Sequence, residues 1–116
     1  KIVEESEADV VIHTAAISDI GPCQKDPQSS YFANVQIPLY LAAACKDRKL
    51  ICFSSDQVYS ACKEEGPYIE EVVKPGNIYA EHKLEMEERV LELVPSAVML
   101  RAEWMYDYVS PSLIIF

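Results

Sequence analysis

The chain has little glycine, little positive charge and no long apolar run. Its 116 residues include three glycines and 10 Lys and Arg against 19 Asp and Glu, giving a formal net charge of −9. Three scattered glycines exclude a glycine-rich phosphate-binding turn within these residues. The negative charge argues against a nucleic-acid partner, which needs clustered Lys and Arg, and would weaken docking on an anionic membrane. No stretch approaches the ~18 apolar residues that span a bilayer, and no signal-peptide pattern opens the chain.

The cysteines indicate a reducing environment. The chain has four, none of them in a C-x-x-C pair, and their spacing fits no zinc module, so no metal site is predicted. Cys45 and Cys52 lie in apolar runs and are expected to be buried thiols. We therefore expect a cytoplasmic protein. With 50% hydrophobic residues, the chain can bury a core, and its length allows one domain at most.

Three short apolar runs predict β-strands, at residues 9–13, 49–53 and 97–100. Each run is bounded and rich in β-branched or bulky residues, which is typical of strands buried on both faces of a parallel sheet.

Two helices are predicted between these strands. The first begins with Asp26 as N-cap and Pro27 at the first helical position, and Pro38 is expected to kink it because proline lacks the backbone N–H. The second runs from about Asn77 to Val94. Its inward stripe is expected to contain Tyr79, Lys83, Met86, Val90 and Val94. Its charged face is expected to contain Glu81, Glu85, Glu88 and Glu92.

The order strand, helix, strand, helix, strand predicts a parallel α/β sheet with right-handed crossovers. A long loop is predicted over residues 61–76, which include two glycines and two prolines. Long loops in compact domains are often functional.

Polar or small residues follow each predicted strand, at positions 13–16, 54–56 and 101–104. In open α/β sheets ligands bind beyond the carboxyl ends of the strands, so these segments are candidates for a binding site. The alternative is that the strands simply end in polar surface loops.

The spacing Tyr-x-x-x-Lys occurs twice, at Tyr59/Lys63 and at Tyr79/Lys83. On a helix this spacing puts both side chains on one face, where the ammonium would favour the phenolate and lower the tyrosine pKa. The second pair is favoured because it lies in an unbroken helical pattern, whereas the first runs towards Gly66 and Pro67. Alternatively, Lys83 lies at the helix start with its ammonium group reaching solvent.

Three ordered motifs together resemble the dTDP-4-dehydrorhamnose reductase family of the extended short-chain dehydrogenases. They are Ser54–Tyr59, Pro75–Lys83 and Arg101–Tyr106. Residues 13–18 are similar to the family's Asn-x-Ala-Ala-x-Thr turn, and Asn34 matches the asparagine of its next helix. The resemblance covers residues 1–108, and the tail at 109–116 matches nothing.

The resemblance implies the central part of an NAD(P)-binding, Rossmann-like doubly wound parallel sheet with three α/β/α layers, lacking its N-terminal glycine-rich half. It implies reduction of the 4-keto group of a nucleotide-activated deoxysugar with NADP or NAD as cofactor. The implied catalytic residues are Ser55, Tyr79 as general acid, and Lys83. The implied cofactor-binding residues are Ala15, Ala16, Ser18, Ser54, Tyr79 and Lys83. The implied substrate-binding residues are Asp56, Gln57 and Trp104.

The chain departs from the family pattern at Ala80, His82 and Gln57, positions that bear on the identity of the sugar more than on the fold. We expect His82 at the edge of the inward stripe. Two alternatives stay open: a nucleotide-sugar epimerase or dehydratase of the same superfamily, and a non-catalytic subunit resembling the methionine adenosyltransferase β subunit. The expected partner is a nucleotide-sugar substrate, and a homodimer is one arrangement open to the protein.

Overall fold

Three parallel strands form the sheet of the computed structural model, which describes residues 1–103. They are β1 (Val10–His13), β2 (Lys49–Ser55) and β3 (Val98–Ala102). β2 lies in the centre and pairs in parallel with both neighbours. The predicted parallel α/β sheet is confirmed. β2 and β3 end two residues later than predicted, because Ser54 and Ser55 continue the ladder with Arg101 and Ala102.

Helical segments connect the strands. The α-helices are α1 (Ile2–Glu5), α2 (Ile20–Lys25), α3 (Pro27–Tyr31), α4 (Ile37–Ala44) and α5 (Ile78–Leu93). A π-helical segment spans Phe32–Gln36, and a 3₁₀ helix spans Asp56–Tyr59. The sequence predicted α5 almost to its ends, but it did not predict α1, α2 or the 3₁₀ helix.

The first predicted helix begins as expected and then becomes irregular. Asp26 caps α3 by accepting a hydrogen bond from the Ser29 backbone N–H at 3.1 Å, with Pro27 at the first position. The irregularity expected at Pro38 takes the form of the π segment upstream of it. Because Pro38 has no N–H, the carbonyl of Asn34 has no α-helical donor, and a wider turn accommodates this.

One face of the sheet forms the core together with α4 and α5. The core cluster consists of Ala42, Cys45, Leu50, Cys52, Met86, Val90, Val94 and Ala97. Tyr79 and Lys83 are also buried on the inner side of α5, so the predicted inward stripe is confirmed. Cys45 and Cys52 are fully buried free thiols, as expected.

The other face of the sheet is not covered by the described residues. Val10 is 48% exposed, Ile12 59% and Leu100 42%. The prediction that every strand is buried on both faces is therefore wrong for β1 and β3. Strand side chains alternate between faces, and the helices of residues 1–103 pack on one of them only.

Candidate active site

Tyr79 and Lys83 lie on the buried side of the first turns of α5, with 6% and 3% of their surface exposed. The start of this helix is fixed from two directions. Asn77 caps it by accepting a hydrogen bond from the Ala80 N–H at 2.8 Å. The Ile78 N–H donates to the side-chain carbonyl of Gln24, in α2, at 2.7 Å. These bonds satisfy N–H groups that a helix start leaves without partners, and they hold the tyrosine against the sheet edge.

Ser55 meets Tyr79 at the carboxyl end of β2. It is buried, and it is close enough to the Tyr79 side chain to act on the pKa of the phenol as a hydrogen-bonding group. Its hydroxyl also donates to the Asp56 carboxylate at 3.2 Å and accepts from the Gln57 N–H at 3.1 Å. The structure thus brings Ser55 and Tyr79 together at the carboxyl end of β2.

Burial governs the ionisation of Tyr79. It raises the pKa of the phenol above its ordinary value of 10.0, while the hydrogen bond with Ser55 acts in the opposite direction. The lowering that the Tyr-x-x-x-Lys spacing predicted is not found, since Lys83 is not among the described groups that move this pKa. Tyr79 is therefore a protonated phenol at neutral pH.

Lys83 carries a buried amine with a strongly perturbed pKa. Desolvation lowers this pKa from 10.5 to about 8, and Cys52 and Glu87 act to raise it. Among residues 1–103, the Lys83 ammonium has no ion pair within 4.0 Å. The alternative of a lysine that reaches solvent is wrong, because the side chain is buried.

The loop after β1 contains Ala15, Ala16 and Ser18. Ala15 and Ser18 are exposed, and Ala16 is half-buried. Asn34 fixes this loop: its amide oxygen accepts from the Ile17 N–H at 3.1 Å, and its amide nitrogen donates to the Ile17 carbonyl at 3.0 Å. The π segment therefore positions the loop in which three candidate cofactor-binding residues lie.

Two buried polar atoms near the strand ends have no hydrogen-bond partner among the described residues. They are the Oγ atom of Ser54 and the Nε2 atom of His13. Burial and, secondarily, Lys83 lower the pKa of His13. Buried polar groups are almost always paired in native proteins. Two such atoms near the strand ends, one of them on a histidine whose pKa responds to Lys83, therefore fit the place of a polar ligand.

Asp56 and Gln57 begin the 3₁₀ helix and are both half-buried. The Gln57 side-chain oxygen accepts from the Asn77 amide at 3.3 Å, which ties this turn to the start of α5. Trp104, the third candidate substrate residue, lies outside the described residues.

His82 lies at the edge of the inward stripe, as expected, and is half-buried. Its Nδ1 atom is 2.8 Å from the Ser30 hydroxyl, and its ring meets Tyr31 edge-on at 5.3 Å. These contacts join α5 to α3.

Sequence reasoning missed the pair of Arg101 and Glu87. The Arg101 Nε atom is 2.9 Å from a carboxylate oxygen of Glu87, whose surface is 5% exposed. A signal was present: Glu87 lies one turn after Lys83 and off the predicted charged face. Its partner lies 14 residues away on another element, which no helical spacing reveals.

Within residues 1–103, none of the helices combines the length and apolarity needed to cross a membrane. The four cysteines are all free thiols.

Comparison with known proteins gives consistent matches. A family model described as the RmlD substrate binding domain matches residues 1–115. The chain is 35% identical over 104 residues to dTDP-4-dehydrorhamnose reductase from Mycolicibacterium smegmatis, covering 87% of this chain and 32% of that protein. The chain thus spans about a third of the length of that relative.

Two solved structures show the same fold. The crystal structure of dTDP-4-dehydrorhamnose reductase from Bacillus anthracis in complex with NADP matches with a TM-score of 0.83 and 28% identity, covering 90% of this chain and 38% of that one. UDP-glucuronic acid 4-epimerase from Bacillus cereus, in complex with UDP-glucuronic acid and NAD, matches with a TM-score of 0.69 and 27% identity, covering 85% and 36%.

Proposed function

Because the chain belongs to the RmlD substrate-binding domain family, we propose that it carries part of the active site of an NAD(P)H-dependent reductase. The substrate class is a nucleotide-activated deoxysugar with a keto group at C4, as in dTDP-4-dehydrorhamnose. The observation that carries this proposal is that Ser55, Tyr79 and Lys83 are all buried, with Ser55 near enough to the phenol to act on its pKa and Lys83 on the same buried face of α5.

Tyr79 is the general acid. Its raised pKa keeps the phenol protonated at neutral pH, which is the form that donates a proton. The proton passes to the C4 oxygen of the sugar while that carbon receives hydride. To stabilise the phenolate that is left, the Ser55 hydroxyl would turn its single proton from Asp56 to the phenolate oxygen, because a hydrogen bond donated to the charged form favours it. General acid catalysis of this kind contributes about 10²–10⁴-fold.

Lys83 holds the cofactor. With a pKa of about 8, the amine is mainly an ammonium at neutral pH. Because no carboxylate of residues 1–103 pairs with it, its N–H groups are proposed to bind ribose hydroxyls. The Ser54 hydroxyl, which has no partner among the described residues, is proposed as a second polar contact of the cofactor. Ala15, Ala16 and Ser18, on the loop after β1, are proposed to pack against the cofactor. The reduced cofactor, NADPH or NADH, would supply the hydride when bound and would leave as NADP or NAD.

Asp56, Gln57 and Trp104 are proposed to face the sugar nucleotide. Asp56 follows Ser55 directly and already accepts its hydrogen bond, so a sugar hydroxyl beside Ser55 would also lie within reach of this carboxylate. The domain boundary at residue 108 and the homodimer stay predictions.

The test uses the full-length protein with NADPH and dTDP-4-dehydrorhamnose, following the loss of NADPH absorbance and the reduced sugar. We expect one NADPH consumed per sugar reduced, and we expect Tyr79→Phe to abolish most of this turnover. The matched control is Tyr59→Phe, which removes a phenol hydroxyl outside the proposed site. No NADPH consumption by correctly folded protein would contradict the proposal.

The epimerase is the second candidate, supported by the structural match to UDP-glucuronic acid 4-epimerase. An epimerase returns the hydride to the sugar, so it would give an isomer without net cofactor consumption. The same assay therefore separates the two. Binding to a partner enzyme without either reaction would instead support the non-catalytic subunit.

A further inference from the structure

The guanidinium of Arg101 joins three parts of the molecule. It lies next to the end of β3 and contacts both carboxylate oxygens of Glu87 on α5, with Nε 2.9 Å from one and NH2 3.2 Å from the other. Its NH1 atom donates to the Tyr59 hydroxyl at 2.6 Å and to the Glu70 carbonyl at 2.8 Å. A two-pronged contact of this kind fixes a carboxylate in direction as well as in distance.

Glu87 stands four residues after Lys83 on the buried side of the same helix. Lysine and glutamate at this spacing commonly pair, and the equally spaced Glu85 and Arg89 do so at 3.4 Å on the outer side of α5. Among the described residues, Lys83 and Glu87 form no ion pair within 4.0 Å. The difference is that Arg101 occupies the Glu87 carboxylate.

We propose that Arg101 is a positioning residue that directs Glu87 away from Lys83 and so keeps the lysine ammonium free for its ligand. This inference rests on the proposed function of Lys83. Without Arg101, a buried carboxylate would lose its cation, which is costly. The nearest replacement on its helix is Lys83, and a Glu87–Lys83 pair would withdraw the ammonium from the cofactor side.

The pKa of Lys83 would change if Glu87 turned from Arg101 towards it. The titratable groups coupled to Lys83 are His13 on β1, Cys52 on β2 and Glu87 on its own helix. Of these, only Glu87 is a carboxylate. An opposite charge within about 4–6 Å shifts a pKa by about 1–3 units. Release of Glu87 towards Lys83 should therefore raise the lysine pKa by about one unit or more.

The experiment measures the pKa of Lys83 in the full-length protein by isotope-edited NMR of the lysine Cε signals, assigned with Lys83→Met. We expect Arg101→Met to raise this pKa by about one unit and to raise the KM for NADPH. The double variant Arg101→Met/Glu87→Gln should bring the pKa back to about the wild-type value, because the competing charge is gone. Tyr59→Phe is the control: it removes one contact of Arg101 but leaves Glu87 engaged, so the pKa should stay unchanged.

Arg101→Lys serves if the methionine variant does not fold. It keeps the positive charge but cannot grip both oxygens, so we expect a smaller rise of the Lys83 pKa in the same direction. An unchanged Lys83 pKa in the folded arginine variants, or a rise that the double variant retains, would overturn the inference. The NMR titration needs no turnover, whereas the NADPH assay tests the proposed function, so the two can fail separately.

Discussion

The two Tyr-x-x-x-Lys pairs have the same spacing and very different surroundings. Tyr79 and Lys83 lie in a continuous helix that begins at the sheet edge, and both are buried. Tyr59 ends a 3₁₀ helix, the chain after it is not helical, and Lys63 is exposed. The Tyr59 hydroxyl binds Arg101, and its ring stacks on Tyr68 at 5.1 Å. A spacing therefore brings two groups together only where the backbone between them is helical.

The largest expected effect is on catalysis by Tyr79 and Lys83. Tyr79→Phe removes the proton donor and should lower kcat about 10²–10⁴-fold, while Tyr59→Phe should leave kcat within a few-fold of wild type. Steady-state NADPH oxidation measures both. Equal losses of kcat in Tyr79→Phe and Tyr59→Phe would contradict the proposal that only Tyr79 takes part in catalysis.

Ser55→Ala should give the next largest effect. It removes the hydroxyl that lies close to the Tyr79 phenol, and loss of one donor that stabilises developing charge costs about 10²-fold in kcat. Ser60→Ala is the matched control, because this exposed serine follows the 3₁₀ helix and its hydroxyl accepts a hydrogen bond from the Gly76 N–H at 2.8 Å, away from Tyr79. Full activity in Ser55→Ala would contradict the proposed role of Ser55.

The pH dependence of stability should separate the two lysines. The pKa of Lys83 is about 8 in the folded chain against 10.5 as the ordinary value, so the unfolded state binds more protons between these pH values. Stability should accordingly rise with pH through this window, by about 2 kcal/mol from about pH 7 to about pH 10. Urea unfolding of Lys83→Met should lack this rise, whereas Lys63→Met should retain it.

The smallest expected effect is on stability and tests whether Tyr59 has a structural role. Tyr59→Phe removes one hydrogen bond to a charged, part-exposed group and should lower the free energy of unfolding by about 1 kcal/mol. Urea unfolding beside the activity assay measures this. A loss of activity without a loss of stability would point instead to a direct role of Tyr59 in the reaction.

Local signals predicted α5 well. Asn77 identified its start as a cap, and the apolar spacing identified its inner side. The prediction for Pro38 was less complete, since proline reveals that a backbone hydrogen bond is missing but not how the helix compensates. The open side of β1 was missed because its apolar run is the same whether or not a second layer covers it, and only packing shows that Ile12 is 59% exposed.

The amino-acid order by itself determined the alternation of strands and helices, the end of the sheet at which the candidate site residues gather, and the Tyr-x-x-x-Lys pair that lies on a buried helix face. These follow from periodicity and caps, which act over a few residues. Only the tertiary structure decided that Glu87 pairs with Arg101 and that Lys83 has no ion pair within residues 1–103. That choice depends on desolvation and on contacts between β3 and α5, and burial and long-range geometry are not properties of any local stretch of sequence.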